Sequence, residues 1–105
     1  MIGALKKLLG LGPKTDFALL VREGAMIVDV RSPAEFKSGH IRGSINLPVD
    51  SLTGSLGKLP DKNRPVITCC ASGMRSAAAK NILKSKGYAE VHNGGSWTSL
   101  QRLIG

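Results

Sequence analysis

Both cysteines of the chain, Cys69 and Cys70, are adjacent, and a single arginine, Arg75, closes the stretch "CCASGMRS" (69–76). Counted from Cys69 the spacing is C-x5-R, which suits a nucleophile working on phosphate. Counted from Cys70 it is C-x2-G-x-R, which suits one working on sulfur. Neighbouring Cα atoms lie about 3.8 Å apart across a trans peptide, short of the usual disulfide span of about 4.4–6.8 Å. Both residues are therefore read as free thiols, and free thiols indicate a reducing compartment, the cytoplasm. The chain has no C-x2-C pair, and His40 and His92 stand far apart in sequence, so no metal site is expected.

The elements that must present these residues follow from local pattern. "AMIVDV" (25–30), "GSINLP" (43–48), "VITC" (66–69) and "AEVH" (89–92) read as short strands, the first and third buried by their apolar, β-branched character. Between them lie helices with recognisable ends. Thr15 or Asp16 caps one that stops at Gly24. Ser32, Pro33 and Glu35 form the start of another, ended by Gly39. Residues 50–57 give a weaker helical turn or loop, and "LPDKNRP" (59–65) is a loop. "RSAAAKNILKSKG" (75–87) and "SWTSLQRLI" (96–104) supply the last two helices. Alternating strands and helices at this pitch predict an α/β fold with a largely parallel sheet. Ligands gather at the carboxyl ends of such strands, and the cysteine loop leaves from one.

A strand-to-helix loop containing Gly73 can curl until several backbone N–H groups converge. The helix that begins near Arg75 adds its positive end and unpaired amides. A thiolate in that cradle has its pKa lowered from the free value of about 8.5. Cys69, the last strand residue, is read as a small buried hydrophobe. Cys70, the first loop residue, is read as the working thiol.

The segments "DVRSPAEFKSGHIRGSINLP" (29–48), "CCASGMRS" (69–76) and "NGGS" (93–96) together resemble the rhodanese-like family of sulfurtransferases, in order and spacing, from about Asp16 onward. The resemblance implies a central, mostly parallel sheet of about five strands with helices on both faces. It also implies an active cysteine that opens a six-residue loop, here Cys70 to Arg75. A phosphatase or arsenate reductase of the same fold, with a C-x5-R loop, competes through Cys69. Thr68 rather than His precedes Cys69, however, and the glycine falls four residues after it. Cys69 would also have to leave its strand.

On this reading the chain moves a sulfane sulfur from a small anionic donor such as thiosulfate to cyanide or a thiol, including a thiol on an acceptor protein. The carrier is a persulfide on Cys70. Backbone amides of Ala71, Ser72, Gly73, Met74 and Arg75 would hold the charged sulfur; no cofactor is needed. Arg75 either binds the donor's anionic end or forms a structural ion pair. By resemblance, Asp29 and Arg31 brace the site and His40 packs. Glu35 pairs with Arg31 or caps its helix, and His92 is an ordinary strand-end residue. Two departures stand out: Cys69 replaces the family's usual aromatic residue before the nucleophile and leaves a second thiol within reach of oxidation, and Trp97 comes earlier than the family's tryptophan. The remaining alternative is a non-catalytic binding module of this fold.

Composition narrows the rest. The 105 residues suffice for one domain, here 15–105. A formal charge of +8 raises the local concentration of small anions, but its fifteen cations are spread from Lys6 to Arg102. With Phe17, Phe36, Tyr88 and Trp97 the only aromatics, a base-stacking nucleic-acid surface is excluded. No apolar run reaches the ~20 residues of a membrane span. Residues 1–14 read as an amphipathic helix and linker, with Ile2, Leu5, Leu8 and Leu9 on one face, docking on the domain rather than anchoring at a membrane surface.

Overall fold

The structure, a computed structural model, describes residues 15–105; the amphipathic helix and linker expected in residues 1–14 lie outside the described residues. Helix α1 (Phe17–Arg22) starts at Asp16, whose carboxylate accepts the Leu19 N–H at 3.0 Å. Strand β1 (Met26–Asp29) leads to α2 (Pro33–Ser38), then β2 (Ile45–Asn46) and a 3₁₀ segment (Val49–Lys58). Strand β3 (Val66–Cys70), helix α3 (Met74–Ser85), strand β4 (Val91–Ser96) and helix α4 (Trp97–Ile104) complete the chain.

The sheet is parallel throughout, in the order β2-β1-β3-β4. Four strands are seen among the described residues, where about five were expected. All five residues of β3 are buried, as its unbroken apolar, β-branched run requires of a central parallel strand. Side chains alternate across the sheet and feed two cores. On one face Val28, Val30, Val66 and Cys70 pack with Leu52 of the 3₁₀ segment and Ala79 and Leu83 of α3. On the other, Ile27, Ile67 and Cys69 meet Phe17, Leu20 and Val21 of α1 and Trp97, Leu100 and Ile104 of α4.

The helical turn expected at residues 50–57 is present, while strand ends differ from the sequence reading. Residues 49–58 form a 3₁₀ helix that buries Leu52. Strand β4 runs on through "NGGS" to Ser96, which then caps α4 by accepting the Ser99 N–H. Gly94 makes the extension possible. A Cβ there would stand 2.8 Å from the Thr68 carbonyl oxygen and 2.9 Å from side-chain carbons of Ile67 and Leu100. Only a glycine lets β4 approach β3 this closely, where the register between them shifts.

Candidate active site

Strand alternation separates the two thiols. Cys69 and Cys70 point into opposite cores, so the second thiol is not within reach of the first for oxidation chemistry. Burial, reinforced by the negative charge of Asp29, pushes the Cys69 thiol up to about 12. It stays protonated and enclosed, the small hydrophobe its strand position suggests.

Cys70 is also fully buried, and it is the last residue of β3 rather than the first of the loop. Its surroundings are of another kind. Its sulfur accepts the Gly73 N–H at 3.0 Å and the Ser76 N–H at 3.4 Å, with the Ser76 hydroxyl 3.5 Å away. Burial pushes this thiol up, but the Ser76 hydroxyl and the N–H groups of Ser76, Gly73 and Ser72 outweigh it. The net shift is downward. Gly73 caps α3 with a φ of 105°, left-handed backbone that suits glycine. That turn swings the chain back over the sulfur, and Ser76 follows as the third residue of α3, whose N–H no helix carbonyl can take. The Thr68 hydroxyl fixes this start of the helix by donating to the Ser76 carbonyl at 2.8 Å.

The predicted ring of donors from Ala71 to Arg75 is therefore only partly the one observed: the N–H groups of Gly73 and Ser76 supply it. Ala71, Ser72 and Met74 are exposed, Met74 at 81%, so Cys70 lies beneath the loop. Arg75 turns outward, and its two Nη atoms donate to the Glu35 carboxylate at 2.7 and 2.9 Å. Glu35 thus pairs with Arg75, not Arg31. It also closes the capping box of α2, accepting the Ser32 N–H at 3.1 Å. Arg75 and then Ser32 hold its carboxyl down at about 2.

Asp29 and Arg31 meet each other rather than Cys70. The guanidinium donates to both Asp29 carboxylate oxygens, the shortest contact 2.7 Å, and to the Gly39 carbonyl at 2.6 Å. It lies 4.8 Å from the centre of the Trp97 ring, which gives that tryptophan a structural place. Asp29 is in register with Cys69. The pair fixes both ends of the α2 excursion, from which Glu35 reaches Arg75. His40 packs as expected, stacked on Phe36 at 3.7 Å between centroids, and His92 meets Glu90 at 2.8 Å.

Two residues escaped sequence reasoning, Ser76 and Asn93. Counting three positions into the helix after Gly73 locates the free amide of Ser76. Nothing local marks Asn93, which accepts the Ser76 hydroxyl at 2.6 Å from the neighbouring strand. A cavity of about 140 Å³ bordered by Met26, Leu59, Arg64 and Val66 opens at the amino ends of β1 and β3, the end of the sheet away from Cys70.

Residues 14–101 match the family model described as the rhodanese-like domain. The thiosulfate sulfurtransferase PspE of Escherichia coli is 36% identical over 80 residues, covering 75% of this chain and 77% of PspE. The uncharacterized protein YibN of the same organism is 40% identical over 75 residues, covering 70% of the chain and 52% of YibN. A solved rhodanese with anions from E. coli superposes with a TM-score of 0.69 at 34% identity, over 72% of this chain and 91% of that one.

Proposed function

The chain belongs to the rhodanese-like domain family and is a sulfurtransferase, and from that premise we propose that it carries a sulfane sulfur as a persulfide on Cys70. The observation that supports this reading is the pair of N–H groups from Gly73 and Ser76, with the Ser76 hydroxyl, gathered on one sulfur. They stabilise a thiolate at a pH where an ordinary thiol is protonated.

The Cys70 thiolate attacks the outer sulfur of a small anionic donor such as thiosulfate. A sulfur–sulfur bond forms at Cys70, the donor's own sulfur–sulfur bond breaks, and sulfite leaves with the electron pair. A nucleophilic acceptor, cyanide or a thiol that can belong to a protein, then attacks the outer sulfur of the persulfide and restores the thiolate. No residue has to remove a proton at the attack, so no general base is required. Because Cys70 is buried, the donor enters as the exposed stretch Ala71–Met74 gives way. Arg75 draws the donor in by charge but grips its anionic end only by leaving Glu35. Asp29 and Arg31 act at a distance, by holding the frame that presents Glu35. No cofactor or nucleic acid takes part, and two free thiols favour a reducing compartment, the cytoplasm. No described helix is long and apolar enough to cross a membrane.

A phosphatase reading through Cys69 would need that residue to leave its core and acquire a cradle aimed at Cys70. Intact mass after thiosulfate treatment tests the proposal: a gain of one sulfur atom, mapped to Cys70 and absent from Cys70→Ser, is expected. Thiosulfate turnover that persists in Cys70→Ser would overturn it.

A further inference from the structure

Asn93 stands where β4 passes the cysteine loop, and its side chain joins the two. Its Oδ1 accepts the Ser76 hydroxyl at 2.6 Å and the Gly95 N–H at 2.9 Å, while its Nδ2 donates to the Gly73 carbonyl at 3.4 Å. Ser76 is fully buried, and its hydroxyl has three neighbours that can compete for one proton. These are Asn93 Oδ1 at 2.6 Å, the Gly73 carbonyl at 3.0 Å and the Cys70 sulfur at 3.5 Å. A hydroxyl donates once and accepts twice.

With Cys70 neutral, the shortest contact takes the proton. The hydroxyl points at Asn93, and a lone pair on Ser76 receives the Cys70 S–H. Ionisation reverses the preference, because the sulfur can no longer donate and becomes the strongest acceptor nearby. The hydroxyl can turn to it without leaving Asn93 bare, since the Gly95 N–H still satisfies Oδ1. We infer that Asn93 is a positioning residue that restrains the acidity of Cys70 by competing with it for the Ser76 proton.

The inference rests on Cys70 being the nucleophile and adds a consequence for the cycle. When a sulfur is accepted, the negative charge moves from the Cys70 sulfur to the outer one. The inner sulfur loses its pull, and the Ser76 proton returns to Asn93. The charged and titratable groups around Cys70 are Arg75 with its Glu35 partner, the Asp29–Arg31 pair and Cys69. None of them bonds to the side chain of Ser76 or Asn93. They set a baseline shared by variants at those two positions.

The test is a double-mutant cycle read as the ionisation midpoint of Cys70, followed by thiolate ultraviolet absorbance with Cys69→Ala throughout, so that one thiol remains. Asn93→Ala is expected to move the midpoint to lower pH, raising the thiolate-to-thiol ratio about three- to tenfold. Ser76→Ala should move it to higher pH, and adding Asn93→Ala to that background should change nothing further. No shift from Asn93→Ala, a shift to higher pH, or an equal shift in both backgrounds overturns the inference. Should Asn93→Ala not fold, Asn93→Asp keeps the acceptor and holds the hydroxyl more strongly. Its upward shift should then shrink when Ser76 is alanine, and an equal upward shift in both backgrounds would overturn the inference. Absorbance needs no turnover, so this outcome is separate from whether sulfur is transferred.

Discussion

Cys69 and Cys70 share a peptide bond and nothing else: one side chain enters the core under α1 and α4, the other the core under α3. The period of two along a strand is what divides them. Burial, with the charge of Asp29, raises the Cys69 thiol, whereas Cys70 lies where the next turn of chain brings N–H groups back over the sulfur. The division also separates the two arginine spacings by their surroundings. The cradle belongs to the C-x2-G-x-R register.

The first prediction follows from that separation. At neutral pH a small alkylating reagent should modify Cys70 and leave Cys69 untouched in the folded chain. Peptide mapping by mass spectrometry reads this directly. Cys69→Ala should keep sulfur transfer, and Cys70→Ser should lose it entirely. The pH profile of alkylation should have its midpoint below the free-thiol value of about 8.5, because the folded state favours the thiolate. By linkage, ionised Cys70 adds stability that is complete above the free-thiol value of about 8.5 and is lost as pH falls through the lowered midpoint.

The ion pair between Glu35 and Arg75 gives the second prediction. Its two side chains are each 38% exposed, so its weight in global stability is small, and its effect is on the position of the loop. The Glu35 carboxyl is held at about 2, against an ordinary 4.5. Its stabilising contribution is complete above pH 4.5 and is lost as pH falls toward 2. Carboxyl NMR titration should show this depressed midpoint. It should return toward the ordinary value in Arg75→Gln, which removes the partner and leaves the capping box intact.

The buried pair of Asp29 and Arg31 predicts a different response. Asp29 is fully buried and Arg31 nearly so. Asp29→Asn leaves the guanidinium charge without its counterion, at a cost of about 3–5 kcal/mol. Urea denaturation should register that loss. A cost below about 1 kcal/mol would mean that the pair does not hold the frame.

What could be read from sequence was what is encoded locally. The capping box at Ser32 and Glu35 needs only residues three apart, and it forms as the pattern requires. The second partner of Glu35 lies forty residues away on another helix, and no spacing rule could have selected Arg75 over Arg31. Cys70 was legible through Gly73 and the helix that follows. Its burial was not, because that depends on how far the loop folds back. The expected fourth strand stops at His92, short of "NGGS". In the fold the glycines of that stretch allow close strand contact, and Asn93 enters the site only through that contact.

The glycine pair carries the last prediction. Gly94 and Gly95 are adjacent but constrained for different reasons. A Cβ on Gly95 would meet no atom within 4 Å, and its penalty comes from a φ of 77°, about 1–2 kcal/mol for an ordinary side chain. A Cβ on Gly94 would collide with the Thr68 carbonyl and two core side chains at 2.8–2.9 Å. Neither a backbone oxygen of the central strand nor the core beside it can yield without moving β4. Gly94→Ala should therefore cost more than Gly95→Ala, at about 2–3 kcal/mol. It should also draw Asn93 away from Ser76 and shift the ionisation of Cys70 along with stability. Denaturant unfolding and thiolate titration on both variants provide the check. Equal destabilisation with an unmoved Cys70 midpoint would show that β4 does not need its close approach to position Asn93.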